Sequence, residues 1–214
     1  MIQFPESTYY GKRMPKEKFY SHLEVPGSVK RSFVYDVDYF VWSYKLSQIT
    51  LNLAAGNKVK EIAVFDVYLK RDDFNRGILD VIDKSVLVYV VYILHYGERV
   101  CINIAYKEPS GNKLSGFRIL ERFDSGWMDA ADAQLQIEGF DLDRVLENFV
   151  RQVAGAGLQS IQSESLTQDI ERQKQCNKIE RQIAQLEAKR RNEKQFNKQL
   201  EIAAEIKKLK NEII

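Results

Sequence analysis

From Leu166 to Ile214 the chain carries no proline and no glycine and is dense in Glu, Lys, Arg and Gln. Few folds other than helix suit such a stretch. Apolar residues recur at Cys176, Ile179, Ile183 and Leu186, and again at Ile202, Ile206, Leu209 and Ile213. Steps of three and four residues are the seam spacing of a coiled coil. Continuing the first seam leads through Arg190, Glu193, Asn197, Leu200 and Ala204, two residues out of phase with the second. A phase jump across Lys189 to Lys198 suits a helical hairpin or one long helix with a local stagger. A continuous helix would reach about 70 Å and a hairpin about half that. The hairpin is the preferred expectation, with Asn192 the conventional turn residue.

The remainder is long enough for one well-buried domain. We place an α+β domain at residues 1–158, a polar linker at 159–165 and the coiled coil at 166–214. The expected domain has an antiparallel or mixed sheet of four to six strands with helices on one face. The hydrophobic share is 44% and the charged share 29%, ordinary for a soluble globular chain. No apolar run approaches the roughly 20 residues of a membrane span, and the start has no basic region leading into an apolar core. A cytoplasmic protein with no membrane partner is the expectation. Cys101 and Cys176 lie too far apart in sequence to suggest a disulfide framework or a zinc site. The net charge of +2 hides an asymmetry. From Leu166 onward 12 Lys+Arg face 8 Asp+Glu, a net of +4, so the preceding residues hold 20 against 22, a net of −2.

Within the domain, Pro15 can open a short helix reaching Leu23, and Ser28 can cap a helix burying Val29, Phe33 and Val37. Tyr39 to Leu46 is dense in aromatic and β-branched residues and reads as a strand. Glu61 to Leu69 is apolar on both faces, as a central strand must be, and Val86 to Leu94 reads the same way. Between them Asp72 or Asp73 is expected to cap a helix burying Phe74, Ile78, Leu79 and Ile82. Gly97 predicts a tight hairpin into an alternating strand at Val100 to Tyr106, followed by another at Phe117 to Phe123. Asp141 is expected to cap a helix that buries Leu142, Val145, Leu146, Phe149 and Val153, with Phe140 stapled onto Val145, and Gly155 and Gly157 end it.

Recognisable chemistry is sparse. There is no phosphate-binding Gly-rich loop, no dinucleotide fingerprint and no nucleophile elbow, and only two histidines, His22 and His95. Asp66 interrupts an apolar strand and is followed by Lys70, part of the carboxylate-and-lysine pattern by which metal-dependent nucleases hold Mg²⁺ and polarise a phosphate. Tyr68 occupies the place of the second carboxylate that pattern needs. The stretch Ala105 to Lys113 is read as a polar rim loop, with Lys107, Glu108 and Asn112 as candidates. Lys189, Arg190, Arg191, Lys194 and Lys198 cluster with Phe196 at the phase break, a composition suited to phosphate backbones and equally to a solvated helix.

Three segments, Ala105 to Lys113, Glu147 to Gly155, and Glu193 to Glu201 running on to Ile206 to Lys210, together with Met14-Pro15-Lys16, resemble the bacterial domain-of-unknown-function family 4391. The likeness spans nearly the whole chain. That family has no established catalytic residues to carry over. The resemblance implies a setting, since similar proteins are encoded beside helicases and DNA methyltransferases in restriction or phage-defence-like loci. The leading expectation is therefore a non-catalytic accessory or adaptor subunit of a DNA-targeting system, without a cofactor. Its coiled coil would bind a protein partner, such as a helicase or a DNA methyltransferase, and its basic cluster DNA or RNA. The alternatives are a metal-dependent nuclease using Asp66, Lys70 and Mg²⁺, and a structural homodimer without nucleic-acid contact.

Overall fold

The computed structural model describes residues 2–21, 25–109, 117–155, 158 and 166–213. The linker at 159–165, and with it His22, Leu23 and Asn112, lies outside the described residues. In chain order a 3₁₀ turn (Glu6–Thr8) leads into β1 (Tyr9–Met14), α1 (Glu17–Tyr20), α2 (Gly27–Tyr35), β2 (Val37–Ser47) and α3 (Gln48–Leu51). Then come β3 (Glu61–Leu69), α4 (Gly77–Ser85), β4 (Tyr89–Tyr96), β5 (Arg99–Pro109), β6 (Phe117–Asp124) and β7 (Met128–Asp129). The helices α5 (Leu142–Ala154), α6 (Leu166–Asn192) and α7 (Phe196–Ile213) complete the chain. It divides into two compact units, Met1–Gly155 and Ala156–Ile214. Among the described residues no helix is long and apolar enough to cross a membrane.

The first unit is built on a mixed seven-stranded sheet in the order β1-β2-β3-β4-β5-β6, with β7 beside β5. β3 and β4 are parallel and every other pairing is antiparallel. A parallel pair needs a crossover connection, and α4 supplies it. Two strands apolar on both faces must be covered on both, and they are. On one face Phe19, Phe33, Ile78, Leu79 and Ile82 from α1, α2 and α4 pack on Phe40, Phe65, Val67, Tyr92 and Leu94. Each such side chain contributes about 1.5–3 kcal/mol relative to leaving it in water. On the other face α5 buries Leu142, Val145, Leu146, Phe149, Val150 and Val153, and Phe4 sits between Phe149 and Tyr44. Helices thus flank both faces rather than one.

Several local expectations hold and others do not. β3 runs over the expected residues, Gly97 takes a φ of +59° in the hairpin joining β4 to β5, and Asp141 Oδ1 accepts the Arg144 amide at 2.8 Å. Gly155 ends α5 at a φ of +72°. Phe140, however, is 72% exposed and staples nothing. Ser28 does not cap α2, which starts from Pro26 without a side-chain cap. Neither Asp72 nor Asp73 caps α4, because Asp73 is held by Arg71 at 2.5 Å and Asp72 by Arg99 at 3.2 Å. The helix begins only at Gly77.

Asp143, in the first turn of α5, ties the loop before β3 to that helix. Its carboxylate accepts the amides of Asn57 and Val59, each at 2.7 Å. Gly56 lets the loop approach, since a Cβ there would collide with Asp143 Oδ1 and come within 2.7 Å of the Asp143 amide nitrogen. Gly56→Ala is expected to lower stability by about 1–3 kcal/mol, the cost of breaking these hydrogen bonds, in a chemical denaturation curve. A native-like midpoint would show that the loop accommodates the methyl group.

The second unit is a helical hairpin. Ile183, Ile202 and Ile206 are its buried seam, with Ile179, Leu186 and Leu209 packed alongside. Lys210 bridges to Glu187 across the two helices at 3.2 Å. The seam residues are those whose phase slips in the sequence, and the slip is where the chain reverses.

Candidate functional site

Side chains alternate across a strand, so Ile62, Val64, Asp66 and Tyr68 of β3 face away from α4. The parallel register sets Asp66 beside Ile93 and Tyr68 beside His95 at the carboxyl-terminal ends of β3 and β4. Open α/β sheets place their ligand crevices at such ends. The N-terminal Ile2 and the segment Ala130 to Ala133 close over this part of the face, leaving a cavity of about 330 Å³.

Asp66 is its polar centre. Oδ1 lies 2.5 Å from His95 Nε2, and Oδ2 accepts the Ser43 hydroxyl of β2. The carboxylate and imidazole are 18% and 19% exposed, enough to reach solvent but held by the sheet. Three rings at matched register on three strands set the imidazole plane. Tyr39 stacks on Tyr68 at 4.2 Å and 19°, and Tyr68 on His95 at 4.6 Å and 10°. The Arg13 guanidinium covers the far side of Tyr39 at 4.5 Å. Burial first, and then the Asp66 charge, push the Tyr68 and Tyr44 phenols above their ordinary range. Both therefore remain neutral at physiological pH. Ser43, Asp66 and His95 do not make a nucleophilic triad, because the serine gives its proton to the carboxylate and has no base.

The nuclease pattern is not assembled. Lys70 lies beyond the end of β3, where its amide bonds Asp36 O and its ammonium donates to Val34 O, at the end of α2, at 2.9 Å. Asp66 is taken by Ser43 and His95. Among the described residues no three His, Cys, Asp or Glu side chains gather to hold a metal. Sequence reading singled out Asp66 but missed its partners. The one signal was that Asp66 and His95 both interrupt apolar strands, and only the parallel register brings them together.

The rim-loop reading of Lys107 is corrected. β5 continues through Pro109 because β6 pairs with it up to Phe117. Lys107 is therefore a strand residue facing α4, with no exposed side-chain surface. Its Nζ donates to Asp83 Oδ1 at 3.0 Å and Asp83 O at 3.1 Å, and lies 4.5 Å from the Phe117 ring centre. Burial pulls its pKa below the ordinary lysine value, against the opposing pull of Asp83. Arg122 brackets the same carboxylate, reaching Asp83 Oδ2 at 2.6 Å, Asp80 Oδ1 at 2.8 Å and Asn103 Oδ1 at 2.7 Å. Glu108 stays at the surface, 3.9 Å from Arg118.

At the hairpin turn the organising residue is Glu193 rather than Asn192. Its Oε1 accepts the amides of Lys194 and Gln195 at 2.9 Å, and its carbonyl accepts Gln199 Nε2 at 2.6 Å. The Gln195 amide above all holds the Glu193 carboxyl below the usual carboxylate range. Lys189, Arg190, Arg191, Lys194 and Lys198 are all exposed around this turn, and Phe196 is 69% exposed among them. Among the described residues none of these five cations forms an ion pair.

Comparison with curated proteins and with solved structures gives no match. A family model described as "Domain of unknown function (DUF4391)" matches residues 2–213 and so takes in both the sheet domain and the hairpin. The chain belongs to the DUF4391 family.

Proposed function

We propose that this chain is a non-catalytic accessory subunit of a bacterial DNA-targeting system, whose helical hairpin docks a protein partner and whose turn touches nucleic acid. The observation that supports the nucleic-acid contact is the clustering of five exposed cations and an exposed Phe196 on one turn. Such a turn presents charges to phosphates and a ring to an unstacked base. The defence setting rests on the family resemblance, and partner docking on the hairpin form.

Binding of fluorescent duplex and single-stranded oligonucleotides across a salt series tests this. Each phosphate contact contributes a slope of about −0.9 in a log–log plot against salt for duplex DNA. Replacing Arg191 and Lys194 together by Gln is expected to weaken duplex binding by roughly 10–100-fold near 0.1 M salt and to reduce the slope by about 2. Salt-independent binding, or equal affinity for the variant, would remove the turn from any nucleic-acid role.

A further inference from the structure

We propose that the cavity over Asp66 and His95 binds a small organic cation, an ammonium or guanidinium group carried on an apolar body. This does not rest on the hairpin's role, because every residue involved belongs to the sheet domain. A carboxylate only accepts hydrogen bonds, so in the neutral imidazole Nε2 carries the proton given to Asp66, and Nδ1 keeps a free lone pair. Ser43 likewise commits its proton to Asp66. What these three groups offer a ligand is lone pairs: the Ser43 oxygen, His95 Nδ1 and the unused sites on the Asp66 oxygens. A group rich in donors and without acceptors matches such a site, and ammonium and guanidinium are the two common examples.

The rest of the lining agrees. Tyr9 and Tyr44 contribute electron-rich rings, which favour a cation, while both faces of Tyr68 are taken by Tyr39 and His95. Ile93 and Val100 supply apolar wall for the ligand's body. No lysine or arginine lines the cavity among the described residues, so nothing there would balance a phosphate or carboxylate. A nucleotide is thus disfavoured here, in contrast to the hairpin turn. The volume of about 330 Å³ is at the lower end of the roughly 300–1,000 Å³ of small-molecule sites. The same chemistry could arrive as a free amine or as the basic side chain of another polypeptide.

The test is calorimetric titration of the full chain at pH 8. The probes are 2-phenylethylammonium, its neutral analogue 2-phenylethanol and the anion 3-phenylpropionate, followed by blocked lysine and arginine amides. We expect the cation to bind at least about tenfold more tightly than the alcohol, the scale of a partly desolvated cation contact, and the anion not to bind. Tighter binding of the blocked amides identifies a polypeptide side chain as the source, and weaker binding a free amine. Asp66→Asn keeps the shape and removes the charge, and should abolish the preference. Equal binding of cation and alcohol by the native chain, or binding of the anion, overturns the proposal without any variant having to fold.

Discussion

Asp83→Ala is expected to destabilise the sheet domain by about 3–5 kcal/mol, the cost of leaving a buried charge without its partner. Asp83 and Lys107 have no exposed side-chain surface, and the carboxylate also accepts Arg122. Arg122 retains Asp80 when Asp83 is shortened, but among the described residues Lys107 retains only the residue-83 carbonyl and the faces of Tyr89 and Phe117. Replacing the lysine at the same time, as Asp83→Leu with Lys107→Met, should cost less than the single change, because no unpaired charge remains. Urea denaturation at constant m reads both differences. The pH dependence carries a definite sign. Burial already lowers the Lys107 pKa below 10.5, so between its folded and unfolded values the unfolded chain holds more protons and stability rises with pH. Loss of Asp83 removes the group opposing that shift, so the Asp83→Ala deficit should shrink as pH is raised and the ammonium gives up its proton. A single-variant cost below about 1 kcal/mol would mean that water enters and solvates Lys107.

Elements whose identity depends on their own residues were legible. β3 needed only a run apolar on both faces, and α5 was bracketed by Asp141 and Gly155. The hairpin followed from the seam slip, although the turn residue did not, because a glutamate accepting the next two amides carries no familiar turn signature. Features set by distant residues were not legible. β1 is an exposed edge strand without apolar alternation and gains its form from pairing with β2. The start of α4 moved because Arg71 and Arg99 take the two carboxylates that could have capped it. Lys107 looked like a loop residue because Pro109 and Gly111 follow it, whereas strand parity and the reach of β6 carry it into the core. The Asp66 site draws its three polar groups from three strands, and the register joining β3 to β4 is nowhere written as a spacing in the chain.

Ile183→Asp is expected to open the helical hairpin. Among the described residues, three buried isoleucines and three partly buried neighbours make the apolar seam between helices of 27 and 18 residues. Most helical stability in proteins comes from packing of the apolar face, so α7 depends on that seam. Truncating one buried isoleucine costs about 2–5 kcal/mol, and a carboxylate facing Ile202 and Ile206 adds the cost of desolvating a charge. Amide exchange protection should therefore be lost along α6 and α7, and circular dichroism should show reduced helix, whereas Ile183→Val should cost only about 0.5–1.5 kcal/mol and retain both. The variant also separates charge from shape. It adds one negative charge and removes none of the five cations, so mere electrostatic attraction would fall slightly. If the turn binds phosphates as a built surface, affinity should fall far more, because Lys189, Arg190 and Arg191 sit on one helix and Lys198 on the other. Retained protection in Ile183→Asp would show that the hairpin is held by something other than its apolar seam, and retained nucleic-acid affinity in an opened hairpin would reduce the turn to a source of net charge.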